Sequence, residues 1–193
     1  MEVTKLAGIG PYNNNVYIVT DPATNESVVI DASHDAGQIA TAAQGTTVKA
    51  ILLTHGDHDH IDALEGLKAR LNVPVGIHAA DAARLSTPPD FLLEDGQDYA
   101  VGSGSLHILH TPGHTPGCIC LLDGNTLIAG DTLFPGGPGA TRGDKDRFAQ
   151  IIESITTKLF VLPDDTLVRP GHGADTTIGT EKPHLQEWID RGW

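Results

Sequence analysis

Short apolar segments separated by turn residues dominate the first half of the chain. Segments rich in Val and Ile are typical of β-strands. They occur at residues 3–9, 16–20, 28–31, 48–54 and 73–78. Apolar residues at helical spacing predict helices over 36–44 and 62–71, the second with Asp62 as its candidate cap. The pattern predicts a β-meander followed by alternating helices and strands.

The second half repeats this arrangement. Short strands are predicted at residues 105–109, 118–122, 126–129 and 166–169, after an acidic loop at 90–98. The longest helical pattern spans residues 146–160, with Ile151 and Ile155 on one face, and a final helix is predicted at 184–191. Two strand-rich halves, each followed by helices, predict an α/β fold whose halves face each other.

Composition favours one globular domain over residues 1–193. The chain is 39% hydrophobic and has a formal net charge of −13 without a cluster of Lys or Arg, which disfavours nucleic-acid partners. The sequence begins without the pattern of a secretory leader and has no apolar run of membrane-spanning length, so we expect a cytoplasmic protein with no membrane segment. Cys118 and Cys120 are expected to be core thiols.

Histidine and aspartate residues follow the predicted strands in polar, glycine-rich segments. The sequence reads THGDHDH at 54–60, PGHTPG at 112–117, AGDTLFPGG at 129–137 and RPGHG at 169–173. These segments carry His55, Asp57, Asp59, His60, His114, Asp131 and His172. Loops at strand ends allow a rigid sheet to direct several side chains to one point. Imidazole and carboxylate groups gathered in this way predict a metal centre.

These segments resemble the metallo-β-lactamase superfamily. The pattern His-x-(His or acid)-x-Asp-His, followed by His, Asp and His at successive strand ends, is the basis of the resemblance. The segments PGHTPG, AGDTLFPGG and RPGHG resemble more narrowly the glyoxalase II-like hydrolases, also called hydroxyacylglutathione hydrolases. The resemblance covers residues 13–175 and implies a four-layer αβ/βα sandwich with the metals at one edge.

The resemblance also implies which residues bind two divalent metal ions. It assigns His55, Asp57 and His114 to a first site, Asp59, His60 and His172 to a second site, and Asp131 to a bridge between them. Zn²⁺ suits such a mixed set of ligands, as do Fe²⁺ and Mn²⁺.

Asp57 is a departure from the pattern, because the hydrolase relatives usually have His there. We expect the first site to tolerate iron or manganese, or to be partly occupied. An alternative register through His58, His60 and Asp62 is disfavoured, since the closing His would fall on Ala63.

The resemblance implies thioester hydrolysis by a hydroxide held between two cations, which yields a carboxylic acid and a small thiol. Catalysis is expected to depend on Asp59 and Asp131. Arg142 is a candidate contact for a substrate carboxylate, and His34 and Phe134 are candidate pocket walls. The helical domain with which full-length glyoxalase II enzymes contact glutathione is not expected here, so the thiol is left open.

Three alternatives remain open at this point. The residues His55, His114 and Asp131 match the two-histidine, one-carboxylate set of a mononuclear iron persulfide dioxygenase. The same hydroxide can open a ring, as in a lactonase or β-lactamase, and a non-catalytic metal-binding module has the same ligands.

Asp31 and Thr54 are candidates for orienting the imidazoles. The sequence identifies neither the acyl group nor the oligomeric state.

Overall fold

Two mixed β-sheets face each other in the computed structural model, which describes residues 1–192. The first sheet contains β1 (Glu2–Ile9), β2 (Asn14–Thr20), β3 (Glu26–Ile30), β4 (Thr47–Leu52), β5 (Val75–His78) and β6 (Phe91–Leu93), in that spatial order. The first three strands are antiparallel, and β3 to β6 are parallel. Trp193, the last residue of the predicted domain, lies outside the described residues.

The second sheet is formed by the second half of the chain. Its strands are β7 (Asp98–Val101), β8 (Gly104–His110), β9 (Ile119–Asp123), β10 (Thr126–Gly130), β13 (Leu167–Pro170) and β14 (Thr176–Thr177). Their spatial order is β14-β13-β10-β9-β8-β7, and only β10 and β13 pair in parallel among these described strands. A separate small ribbon pairs β11 (Leu133–Phe134) with β12 (Gly137–Pro138).

Helices cover the outer face of each sheet. They are α1 (Ala36–Ala42), α2 (His58–Ile61), α3 (Leu64–Leu71), α4 (Lys145–Ser154), α5 (Ile178–Glu181) and α6 (Leu185–Arg191). Short 3₁₀ turns occur at Ala79–Arg84 and Lys182–His184. The predicted helix over 146–160 is α-helical to Ser154 and continues as a π-helical turn, Ile155–Leu159. None of the helices described in residues 1–192 has the length and apolarity to cross a membrane.

Alternating side chains of β2 show how the layers are built. Val16 and Ile18 pack in a core with residues of α1 and α3, whereas Tyr17 and Val19 point into the core between the sheets. A third core packs β10 and β13 against α4, the π-helical turn and α6. The resulting order is helices, sheet, sheet, helices, and it confirms the predicted four-layer αβ/βα sandwich. Cys118 and Cys120 are buried free thiols, as predicted.

The region predicted as an acidic loop, 90–98, was assigned incorrectly. It contains β6, because the short segment Phe91–Leu93 pairs in parallel with β5 at the edge of the first sheet. Its last residue, Asp98, is the first residue of β7. Phe91–Leu93 is apolar, but a run of three residues is shorter than the roughly four to eight that predict a strand. Asp62 does not cap α3, whose N-cap is Ala63.

A buried carboxylate ties the two halves of the fold together. Asp81 lies in the 3₁₀ turn after β5 and is fully buried. Its oxygens accept hydrogen bonds from the backbone N–H of Gly56 (2.8 Å) and Gly117 (2.9 Å) and from the hydroxyl of Thr115 (2.7 Å). Gly56 follows β4 in the first sheet, and the other two residues precede β9 in the second. Asp81 therefore fixes the loop after β4 relative to the loop before β9.

We expect Asp81→Asn to destabilise the protein by about 2–3 kcal/mol, because an amide nitrogen would face donors and leave at least one of them buried without an acceptor. Urea unfolding followed by circular dichroism measures the change. Asp164→Asn is the matched control, since Asp164 is 75% exposed and lies 3.7 Å from Lys182 Nζ, an ion pair of little value to stability. Equal stability of the two variants would contradict the role of Asp81 in holding the two loops together.

Candidate metal centre

Four polar loops meet at one edge of the sandwich. β10 and β13 are parallel, and β8 runs in the same direction because both β8 and β10 are antiparallel to β9. The loops after these three strands therefore emerge at the same edge, where they carry His114, Asp131 and His172. The loop after β4 and the short helix α2 bring residues 55–60 to this edge from the first sheet.

The structure gathers all seven side chains predicted as ligands into three overlapping groups. Three groups have candidate ligand atoms that all lie within 4.8 Å: His55, His60 and Asp131; His55, Asp57 and His114; Asp59, His60 and His172. The second and third groups are the first and second sites that the sequence predicts. His55, His60 and His114 are buried, and His172 is partly exposed.

Two of the histidines are oriented by a buried carboxylate. His60 Nδ1 lies 2.8 Å from Asp31 Oδ2, and His55 Nδ1 lies 3.0 Å from Thr54 Oγ1. The Thr54 hydroxyl donates to the same carboxylate at 2.8 Å, so its oxygen is free to accept a hydrogen bond from His55. Asp31 and Thr54 thus fix both rings with Nε2 directed toward the centre, as predicted from the sequence.

The other two histidines are oriented by backbone carbonyl groups. His114 Nδ1 donates to Ala140 O at 2.8 Å, and His172 Nδ1 donates to Tyr12 O at 2.9 Å. All four imidazoles therefore bond to the surrounding protein through Nδ1. Each leaves Nε2, the usual metal-binding nitrogen, for the centre.

The Nε2 atoms and carboxylate oxygens lie very close together. His60 Nε2 is 3.2 Å from His172 Nε2 and 3.3 Å from Asp131 Oδ1. His172 Nε2 is 3.3 Å from Asp59 Oδ2, and His114 Nε2 is 3.7 Å from Asp131 Oδ2. Asp131 thus reaches imidazoles of both predicted sites, which is the placement expected of a bridging ligand.

Unpartnered polar atoms show that the centre fits metal ions. Within residues 1–192, six buried side-chain nitrogen or oxygen atoms lack a hydrogen-bond partner, and three of them are here: His55 Nε2, His114 Nε2 and Asp131 Oδ1. A buried polar atom without a partner costs about 1–3 kcal/mol. Divalent cations satisfy such lone pairs, and a set of imidazole and carboxylate donors is typical of protein sites for Zn²⁺, Fe²⁺ and Mn²⁺.

Protonation differs across the centre. Burial, reinforced by the neighbouring His60 ring, lowers the pKa of His55 to about 4, so this imidazole is neutral at pH 7 and its lone pair is available. Burial also opposes a charge on His172, but hydrogen bonds to Asp131 and Asp59 outweigh it and raise the pKa of His172 to about 10. Binding of cations near neutral pH would therefore displace protons.

Asp57 is held by two arginines. Its Oδ1 accepts a hydrogen bond from Arg84 Nη1 at 2.5 Å, and its Oδ2 accepts one from Arg142 Nη2 at 2.9 Å. His114 Nε2 lies 3.2 Å from the same Oδ2. Arg142 therefore reaches the first site through Asp57. Sequence reasoning missed Arg84, which lies outside every motif and is brought to Asp57 by the 3₁₀ turn after β5.

The two predicted pocket walls occupy different places. His34 lines a surface cavity of about 240 Å³ beside Asp59, together with residues that include Tyr12, His58 and Asp62. Phe134 is not among the lining residues, and its ring centroid lies 6.2 Å from that of His172. Both residues are near the second site, but only His34 borders this cavity.

Residues at the start of β2 hold the His172 loop to the first sheet. Asn15 Nδ2 and the Tyr17 hydroxyl both donate to Pro170 O, at 2.9 and 2.7 Å. Asn14 Nδ2 donates to Asp59 Oδ2 at 3.0 Å. Sequence reasoning missed these roles, and the only available signal was the polar run of three asparagines at the strand start.

Close backbone approach explains one glycine of the RPGHG segment. A Cβ atom on Gly171 would collide with Asp131 Oδ1 and with His60 Cε1. Only glycine therefore permits the loop after β13 to pass this close to the centre.

Comparisons with known proteins agree with this geometry. The model of the metallo-beta-lactamase superfamily matches residues 9–172. The hydroxyacylglutathione hydrolase GloC of Haemophilus influenzae is 33% identical over 193 residues, covering 89% of this chain and 91% of that protein.

Three solved structures are also similar. The B3 metallo-beta-lactamase BLEG-1 has a TM-score of 0.86 at 30% identity, covering 95% of this chain and 98% of that one. ETHE1 from Myxococcus xanthus has a TM-score of 0.84 at 30% identity, covering 100% and 90%. TTHA1623, solved in a di-iron-bound form, has a TM-score of 0.77 at 31% identity, covering 93% and 96%. The chain therefore belongs to the metallo-β-lactamase superfamily, a family whose members bind metal ions.

Proposed function

We propose that this chain is a metal-dependent thioesterase, which hydrolyses S-acyl derivatives of a small thiol to a carboxylic acid and the free thiol. The observation that carries the proposal is the set of seven convergent donors with three buried atoms left unpartnered. The thioester specificity is supported by the PGHTPG and AGDTLFPGG segments and by the similarity to a hydroxyacylglutathione hydrolase.

The proposed ligands follow the groups in the structure. His55, Asp57 and His114 would bind one ion, Asp59, His60 and His172 the other, and Asp131 both. Zn²⁺ is the ion we expect first, and Fe²⁺ or Mn²⁺ suits the first site, where Asp57 provides a carboxylate in place of the usual imidazole. The guanidinium groups on Asp57 weaken its interaction with a cation, which supports partial occupancy of the first site.

Bound cations would supply two effects, a lower pKa for water and polarisation of the thioester carbonyl. The residues of the chain supply the fixed geometry. Asp31 and Thr54 prevent rotation of the His60 and His55 rings, and Asn14 holds the Asp59 carboxylate. A thiolate leaves readily, so the reaction requires little proton donation and no separate acid residue.

Arg142 is the proposed contact for a carboxylate on the acyl group. Its side chain is 68% exposed although it bonds to Asp57, so part of the guanidinium remains open to a substrate at the first site. Phe134, next to His172, is proposed to cover the second site.

A mononuclear iron persulfide dioxygenase is the second candidate. The three unpartnered atoms belong to His55, His114 and Asp131, which is the two-histidine, one-carboxylate set of non-haem iron sites. Iron-dependent oxygen uptake with glutathione persulfide, without thioester hydrolysis, would decide for it. Turnover of a lactone or nitrocefin alone would indicate a lactonase or β-lactamase, and binding of metal without any turnover would indicate a non-catalytic module.

Asp131→Asn tests the metal-dependent mechanism. We expect thioester hydrolysis to fall by at least about 10³-fold, with a lower metal content, because the carboxylate shared by both sites is lost. Release of free thiol is measured on S-lactoylglutathione and on acyl esters of other thiols, and metal is measured by mass spectrometry. Asp98→Asn is the control, since Asp98 is 65% exposed on β7. Full turnover in Asp131→Asn would exclude the two-metal mechanism.

Arg142→Ala tests recognition of the acyl carboxylate. We expect KM for an S-succinyl thioester to rise about tenfold, because a hydrogen bond to a charged group is lost, while KM for the S-butyryl ester of the same thiol changes little. Steady-state kinetics on both esters, with exposed Arg70→Ala as the control, measure the difference. An unchanged KM for every active thioester would show that Arg142 does not contact the substrate.

A further inference from the structure

The cavity beside Asp59 adjoins the second cation site and is small. Its volume of about 240 Å³ suits a group of roughly ten non-hydrogen atoms and is below the range typical of sites for larger ligands. Asp59 belongs to both the cavity and the metal centre. A substrate whose reacting carbonyl lies at the cations can therefore extend one of its ends into this cavity.

The permanent charges that line the cavity are negative. Asp59 and Asp62 are among the lining residues, and no Lys or Arg is. Asp59 is engaged by the centre, whereas Asp62 is 39% exposed, with Oδ2 at 3.0 Å from His34 Nδ1 and Oδ1 at 3.7 Å from His58 Nε2. The carboxylate of Asp62 therefore remains accessible to a ligand, in a chain with a net charge of −13 that repels anions at longer range.

An exposed aromatic ring lies at the same cavity. Tyr12 is 65% exposed and lines it. Its carbonyl oxygen accepts the His172 Nδ1 hydrogen bond, which fixes this turn to the metal centre. Gly10 has a positive φ of 67°, and a Cβ there would collide with His34, so the turn and His34 are in direct contact. An aromatic face close to a carboxylate is the combination that binds organic cations.

We propose that this cavity binds the thiol half of the substrate and selects thiols with a cationic group, such as a quaternary ammonium, over anionic thiols. The inference rests on the proposed thioesterase function and specifies its substrate class. Asp62 is the specificity-determining residue through its charge, and Tyr12 contributes its ring. Neither side chain contacts the reacting carbonyl, so both act on binding rather than on the chemical step.

Three acetyl thioesters of similar size test the inference on the metal-loaded enzyme. The thiols are thiocholine, which is cationic, N-acetylcysteamine, which is neutral, and 2-mercaptoethanesulfonate, which is anionic. At low ionic strength we expect kcat/KM to be at least about tenfold higher for the thiocholine ester than for the sulfonate ester. Salt should narrow this ratio, because the attraction is screened. An equal or reversed preference would overturn the inference.

Asp62→Asn separates the charge from the shape of the cavity. We expect KM for the thiocholine ester to rise about threefold to tenfold, with kcat and the kinetics of the neutral ester little changed. Asp164→Asn, at an exposed position distant in sequence and not among the lining residues, is the matched control. Tyr12→Leu should also raise KM for the thiocholine ester more than KM for the neutral ester. An unaltered cation-to-anion ratio in Asp62→Asn would contradict the assigned role.

Binding of inert analogues distinguishes failure of the inference from failure of the proposed function. Choline and isethionate carry the same charged ends with a hydroxyl in place of the thiol, and their binding to the metal-loaded protein is measured by NMR titration. If no thioester is hydrolysed, the proposed function is wrong. Preferential binding of choline, lost in Asp62→Asn, would still support the cavity assignment, and equal or preferential binding of isethionate would overturn it.

Discussion

Nitrogen and oxygen lone pairs are withdrawn from water at the strand ends, and the surrounding loops are arranged around this unfavourable desolvation. Four imidazoles and three carboxylates are crowded together, and His55 and His114 each leave a buried Nε2 without a hydrogen bond. Such an arrangement is unfavourable unless protons or cations lie between the donors. The outward hydrogen bonds of the Nδ1 atoms keep the rings from turning away. The Nε2 lone pairs therefore stay directed toward the centre, where a positive charge is favourable.

The scaffold meets this constraint by using rigid elements from both halves. Parallel strands in the second sheet direct three loops to one edge, and the loop after β4 approaches from the first sheet. Asp81 joins the loops that carry His55 and His114, while Asn15 and Tyr17 hold the loop that carries His172. Each contact is a buried or partly buried hydrogen bond between segments distant in sequence, which fixes the relative position of the ligands.

Local patterns in the sequence predicted the two α/β halves and the gathering of His and Asp side chains, and the resemblance to the metallo-β-lactamase superfamily added the four layers and the division of candidate ligands into two sites. Apolar runs identify buried strands, and His and Asp directly after them identify the edge where a centre can form. The same reasoning missed β6, whose apolar run of three residues is too short to predict a strand, and it missed Arg84 and Asp81. Asp81 acts across the interface between the sheets, whereas Arg84 acts on Asp57 in the loop after β4 of its own sheet. Only tertiary packing brings these groups near, so no spacing along the chain reveals them.

An isolated antiparallel β-bridge pairs Asn14 with His172, so the centre lies at the boundary between the two sheets rather than within either one. Ions bound there would join segments separated by more than a hundred positions in the sequence, so that they would act as a reversible cross-link. Sheet separation and ion release are then thermodynamically linked, and each makes the other easier. Loss of the ions is expected to loosen the whole sandwich, and any partner that forced the sheets apart would release them.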